Sequence, residues 1–500
     1  MPSGVASLAL LFWVVSNAAA QDIAAPNGVI HYSVEPLSGI NGVNALRVKV
    51  RFVGNSQGQS IFELPSDAIG GHERWTYLSD FQGRGVRIIA NEKKKRTFLY
   101  RPGATVTVTY RVRSAYSENP TGGDSFALPM MLPSWLATLG EFIFVVPEHG
   151  EKLPITFDWE PGPMHWNCLS NLNHPSAEEP LTVARLLESS IIASPQLKVV
   201  ERPIFGGVLR LAAVGSWKIP IDRDADLVAR IVSAQRAFWG DMTGPFTVTM
   251  VALAGPDQAS DGVGRYRGFI HYVSQSTPPA RYIREVAHEH IHSWIPSRLG
   301  EMPEGNNEAV LYWFSEGFTE FYTQRTLLHT GIWSLQDFIA DLNDTLALYA
   351  ANPHNGRPND WTSARFWTDP TVQRIPYLRG NLFAYLLENG IRQRSGNAIG
   401  LDQVIFRMRD RWMSAPIDHR PGVLENLEAS YRDVLGSDDQ LRALIESHIT
   451  KGEFIQLPID MFGRCADVEP SVLPYEDGPQ TVRLPASDEQ QPVGCGQVFP

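Results

Sequence analysis

The sequence predicts a multidomain α+β protein: an N-terminal antiparallel β-sandwich, an α/β domain after it, and a C-terminal α-helical domain. Three observations carry this. Apolar residues alternate with period two from about residue 28 to 205. Helical and strand-like segments interleave between 206 and 330. From 331 to 452 apolar residues recur at helical spacing. A chain of 500 residues with 43% hydrophobic and 19% charged content is an ordinary folded composition, long enough for more than one core. The expected divisions are a signal peptide at 1–20, the sandwich at 21–205, the α/β domain at 206–330, the helical domain at 331–452 and a proline-rich tail at 453–500.

In the first region Leu46, Val48, Val50 and Phe52 alternate with charged or small residues, and Val106, Val108, Tyr110 and Val112 repeat the pattern. Such alternation marks half-buried antiparallel strands, and Gly and Pro punctuate it as turns do. After 220 the period changes. A helix is expected over 222–239, strands near 246–253 and 267–274, and helices over about 279–294 and 308–327. Ser334 with Asp337 reads as a helix cap before Leu335, Phe338, Ile339 and Leu342. Leu401, Val404, Ile405, Met408 and Trp412 repeat the helical spacing.

Charge and composition exclude some function classes. A net charge of −11 does not suit a phosphate-binding surface, so no nucleic-acid partner is expected. The basic run Lys93 to Arg96 lies between two apparent strands and reads as a solvated hairpin tip. The apolar stretch Leu8 to Val15 before Ala18-Ala19-Ala20 reads as a secretory signal cleaved near Ala20. No later apolar run is long enough to span a bilayer, so an exported protein, secreted or periplasmic, is expected. Of three cysteines, Cys465 and Cys495 can pair in an oxidising compartment or remain unpaired.

The motif that carries chemistry is His288-Glu289-His290-Ile291-His292, a His-Glu-x-x-His pattern. Helical residues four apart lie about 40° apart around the axis, so His288 and His292 share a face and can hold one Zn2+ ion. Glu289, beside the first histidine, can reach a water on that ion. His290 lies about 200° round the helix from His288 and should point away. A catalytic zinc needs a third protein ligand. Glu316, in Trp313-Phe314-Ser315-Glu316-Gly317-Phe318-Thr319-Glu320, is the best candidate, because carboxylates are rarely set among aromatics without a partner. Gly317 beside it permits close helix approach, and Glu320 one turn on can accept the other ring proton of a ligand histidine. Glu285 is expected to pair with Arg281.

These residues resemble the gluzincins, and specifically the glycyl aminopeptidase family of secreted zinc peptidases. His288 to Trp294 matches that family's His-Glu-x-x-His-x-Trp, and Trp313 to Thr319 its Trp-Phe-x-Glu-Gly-Phe-Thr. Pro376-Tyr377-Leu378-Arg379-Gly380 is similar to its Tyr-x-Lys-Gly element, with Arg for Lys. The resemblance implies a thermolysin-like catalytic domain with zinc on His288, His292 and Glu316, Glu289 as general base, and Tyr377 as donor to the oxyanion. It implies a peptide or peptide-like amide as substrate, with Gly268, His271 and Arg379 as candidate substrate contacts. The 453–500 stretch is too short and proline-rich for the family's PDZ-type module, and none is expected.

One departure matters for activity. The family's Gly-Gly-x-Glu-His strand holds the substrate α-amine, and Arg267 to His271 aligns with it, with Ile270 where the Glu stands. Glu301, Glu304 and Glu308 are near in sequence as substitutes. Aminopeptidase-like hydrolysis is therefore weighed against an endopeptidase or specialised amidohydrolase, and against a non-catalytic peptide-binding protein. Gly54-Asn55-Ser56-Gln57-Gly58 fits a serine-hydrolase elbow, but it joins two strand-like segments and reads as a hairpin. Gly262-Val263-Gly264 with Gly268 has the wrong spacing for a dinucleotide loop.

Overall fold

The computed structural model describes residues 25–484 apart from 40–41, 68–71, 91, 123–127, 164, 174–179, 218–219, 241, 257, 304 and 470–479. The expected signal segment and Cys495 lie outside these residues. Cys465 is disulfide-bonded, and Cys168 is free.

The alternating apolar residues build the N-terminal sheets. Val48, Val50, Phe52, Val106, Val108, Tyr110 and Val112 are all buried on one face. Among the described residues one sheet has the order Ile155–Trp159, Asn27–Gly39, Gly42–Val53, Thr105–Arg113, Leu78–Arg84. It is antiparallel except that Ile155–Trp159 runs parallel to Asn27–Gly39. A second sheet (Val146–Pro147, Gln59–Glu63, Lys95–Tyr100, Val86–Ile89) packs Phe62 and Phe98 against Phe52. Gly54 to Gly58 forms the turn between strands Gly42–Val53 and Gln59–Glu63, not a nucleophile elbow.

A five-stranded sheet beyond the N-terminal region has the order Val200–Ile204, Gly207–Gly215, Phe246–Leu253, Gly268–Ser274, Ser260–Arg265. Its inner pairs are parallel and its outer pairs antiparallel. Every residue of Phe246–Leu253 and Gly268–Ser274 is buried, as in a sheet covered on both faces. Strand Val200–Ile204, placed by the sequence pattern before a 205/206 boundary, belongs to this sheet. It turns tightly through Phe205 and Gly206 (φ 71°) to pair Ile204 with Gly207. One face of the sheet, carrying Ala212, Val251, Ile270 and Tyr272, shares a core with N-terminal Leu136, Ile191 and Ile192. The opposite face, carrying Leu211, Val248 and Phe269, packs on helices Ile221–Trp239 and Pro279–Ile291.

The C-terminal region is helical: Leu335–Ala351, Pro370–Ser395, Leu401–Ser414 and Val423–Leu435. Ser334 and Asp337 form the expected reciprocal cap. The tail beyond 453 is packed: Ile455, Leu457 and Phe462 are buried, and Val482 exchanges hydrogen bonds with the Asn343 side chain. Among the described residues no helix is long and apolar enough to cross a membrane.

Candidate metal centre

Helix Pro279–Ile291 positions the motif because one side of it is core: Val286, Ala287, His290 and Ile291 are buried. His290 points into that core, with Nδ1 2.5 Å from Gln235 Oε1 and its ring edge-on to Trp294 and Phe246. His288 and His292 turn the other way, toward a cleft of about 1030 Å³. Their Nε2 atoms lie 3.1 Å apart.

The third group comes from helix Tyr312–His329. Glu316 Oε2 is 3.3 Å from His288 Nε2 and 3.5 Å from His292 Nε2. Atoms ~2.0–2.1 Å from a tetrahedral zinc lie ~3.3 Å from one another, so these three atoms have the spacing of one ligand face. Burial opposes ionisation of Glu316, yet His292 and His288 hold its carboxyl well below the usual carboxylate range. Glu289 also offers an oxygen within 4.8 Å of both histidines. Glu316 Oε2 is within 3.5 Å of both Nε2 atoms, which makes it the candidate third ligand, with Glu289 beside the site.

The outer nitrogens face acceptors as well. Glu320 Oε1 is 3.2 Å from His288 Nδ1, and Arg284 joins Glu320 to Asp341. His292 Nδ1 lies 2.9 Å from the Ile295 carbonyl oxygen, which can only accept. Both partners favour a proton on Nδ1 and leave Nε2 free to ligate. Tyr377, on helix Pro370–Ser395, lines the cleft with its ring 6.1 Å from that of His288. Burial and the neighbouring Glu316 raise its pKa well above the usual tyrosine value, so its hydroxyl keeps its proton as a donor.

Several expected substrate contacts lie elsewhere. Gly268 reaches the cleft, but its closeness is to the next strand: a Cβ there would sit 2.2 Å from the Thr247 carbonyl oxygen. His271 is fully buried, with Nε2 2.8 Å from Ser260 Oγ and its ring stacked on Tyr282. Arg379 is buried and donates to the carbonyls of Asn355 and Arg357, so it ties a loop rather than facing substrate. Ile270 faces the core shared with the N-terminal region, away from the metal helix.

The strand that borders the cleft is Ser260–Arg265. A Cβ at Gly262 would lie 2.3 Å from Glu289 Cγ, and one at Gly264 3.8 Å from His292 Cβ. At Gly262 a side chain would displace Glu289, whereas at Gly264 there is room for a methyl group. Asp261 and Arg265 of this strand line the cleft. Glu285 lines it too and does not pair with Arg281, whose guanidinium donates to the Gln258 carbonyl. Of the nearby glutamates, Glu308 lines the cleft, Glu301 bridges to Gly422, and Glu304 lies outside the described residues. The sequence signal for the edge strand was the Gly262-Val263-Gly264 spacing itself.

Fold and centre together define a class: an α+β protein whose two histidines and one glutamate form a candidate metal site beside a glycine edge strand. Residues 281–375, spanning the metal helix and the helix that carries Glu316, match the model of the M61 glycyl aminopeptidase family. This supports a peptidase. The fold is similar to that of an aminopeptidase N family protein from Idiomarina loihiensis (TM-score 0.71, 15% identity, 89% of this chain and 80% of that one). It is also similar to an M1 zinc metallopeptidase from Deinococcus radiodurans (TM-score 0.52, 14% identity, 87% of this chain and 97% of that one). No curated protein matches the chain.

Proposed function

We propose that this protein is an exported, aminopeptidase-like zinc metallopeptidase. The observation that carries the proposal is the convergence of His288 Nε2, His292 Nε2 and Glu316 Oε2 within 3.1–3.5 Å. The family match over 281–375 supports the same reaction class. Zinc is the metal that two histidines and a glutamate hold in water-activating sites, and an M1 zinc metallopeptidase shares the fold.

Held by His288, His292 and Glu316, zinc supplies Lewis acidity that acidifies water and polarises the scissile carbonyl. Glu289, placed under the edge strand, takes the proton of the attacking water and delivers it to the leaving amine nitrogen. Tyr377 donates its hydroxyl hydrogen to the carbonyl oxygen as negative charge develops there. The free backbone groups of Ser260–Arg265 offer a substrate an edge to pair with. A non-catalytic binding protein would have no need of Glu289, so its place beside His288, His292 and Glu316 supports the catalytic reading.

The test is product analysis of the purified zinc-loaded chain with matched free and N-acetylated peptides, with Glu289→Gln as blank. Removal of single residues from free peptides alone supports the aminopeptidase-like reaction. Cleavage of the acetylated set replaces it with action on blocked or internal bonds. No cleavage of either set by zinc-loaded protein overturns the peptidase assignment.

A further inference from the structure

The cleft changes sign along its edge strand. Gly262 stands against Glu289 and Gly264 against His292, so strand and metal helix run in the same direction across the site. Asp261 therefore lies toward the Glu285 turn of the helix, and Arg265 toward the His292 end. At the Arg265 end, Arg265 Nη2 donates to Glu141 Oε1 (2.7 Å) and Arg74 Nη1 to Glu141 Oε2 (3.1 Å). Two guanidiniums share one carboxylate, which leaves that end cationic and repels a positively charged substrate group.

The other end is the reverse. Glu285, one turn before Glu289, lines the cleft and has neither a hydrogen bond nor an ion pair among the described residues. The adjacent Arg284 is taken by Glu320 and Asp341. Asp261 and Glu289 add negative charge around Glu285, and both line the same cleft. A carboxyl group that lines a binding cleft without an ion pair of its own is open to a cation from outside, even with His288 and Arg284 nearby.

Resting on the peptidase reading above, we propose that Glu285 receives the cationic group of the substrate, an α-amine or the side chain of a Lys or Arg residue. Glu285 then does for this chain what no residue at position 270 could do, because Ile270 faces the opposite side of the sheet.

The test is calorimetry on the zinc-loaded full chain carrying Glu289→Gln, titrated with argininamide, citrullinamide and their N-acetyl forms. Preference for N-acetylargininamide over N-acetylcitrullinamide identifies the guanidinium as the bound group. Preference for citrullinamide over its acetyl form identifies the α-amine. Either preference should be roughly ten- to hundredfold and should vanish when Glu285→Gln is added, with partial recovery in Glu285→Asp. Equal affinity for charged and neutral members, no binding of any, or a preference that survives Glu285→Gln overturns the proposal. Because this series reads binding, a failure of peptide hydrolysis in the wild-type chain would count against the peptidase reading separately.

Discussion

Gly317 and Gly380 meet backbone to backbone: a Cβ at Gly317 would lie 2.2 Å from Gly380 Cα, and one at Gly380 1.9 Å from the Trp313 carbonyl oxygen. The helices that carry Glu316 and Tyr377 can cross this closely only because both positions lack a side chain. The crossing brings the carboxylate and the phenol to the same centre as the two histidines. Trp313, Phe318 and Phe383 pack around it and hold it.

Gly317→Ala or Gly380→Ala should therefore destabilise the protein by about 2–4 kcal/mol, since the neighbouring atoms are backbone and cannot turn aside. Zinc retention should fall with stability, because Glu316 is adjacent to Gly317. Thermal melting and metal analysis of the purified variants check this. A Gly317→Ala protein with wild-type melting and metal content would show that the helices separate without cost.

Glu289 and Glu316 should separate chemistry from metal binding. Glu289→Gln is expected to lower kcat by roughly a hundredfold or more while zinc stays bound, because it removes the proton acceptor and no ligand. Glu316→Gln should lose zinc itself. If the two variants lose metal equally, Glu289 is a ligand as well and the assigned division of roles fails.

Glu320 approaches His288 Nδ1 at 3.2 Å and is expected to act on a bound zinc through it. Glu320→Gln should weaken zinc affinity about 10- to 100-fold, as the loss of a carboxylate behind a ligand histidine does. Competition with a chelator of known affinity measures it. An unchanged affinity would mean that the 3.2 Å approach of Glu320 to His288 Nδ1 contributes nothing to ligation.

Much of this architecture is legible in the sequence where a segment buries apolar residues, on one face of a helix or on both faces of a strand. The helix expected over 222–239 runs Ile221–Trp239, and the strand expected over 246–253 runs Phe246–Leu253. Glu316 stands out because a carboxylate among aromatics needs a partner. The edge strand is hidden for the converse reason. Ser260-Asp261-Gly262-Val263-Gly264-Arg265 has no apolar alternation, because its glycines face the metal helix and its charged residues alternate with them on the other face. The fully buried neighbour Gly268–Ser274 gives the strong strand pattern and so attracts the substrate-binding role. Tyr377 is obscured in the same way: Pro376 suggests a helix start, whereas the helix begins at Pro370 behind an Asp369 cap and continues through Pro376.

Asp224 gives a pH test well apart from the metal ligands in sequence. Burial raises its carboxyl from 3.8 to about 6, opposed by the Trp217 indole, whose Nε1 donates to Oδ2 at 2.6 Å. Since the folded pKa exceeds the unfolded one, the folded state holds this proton more tightly between about pH 4 and 6. The stability linked to that proton is complete below about pH 4 and lost as pH rises through about 6. Asp224→Asn keeps an oxygen for the indole N–H and never ionises. It should be more stable than the parent by about 1–3 kcal/mol at pH 7–8, with the gap closing toward pH 4. Denaturant unfolding of both proteins in metal-free form across that range measures it. A gap that widens on acidification, or an Asn variant less stable at pH 8, would mean that the charged carboxylate is favoured in the fold, through a stronger bond to the Trp217 indole than its burial costs.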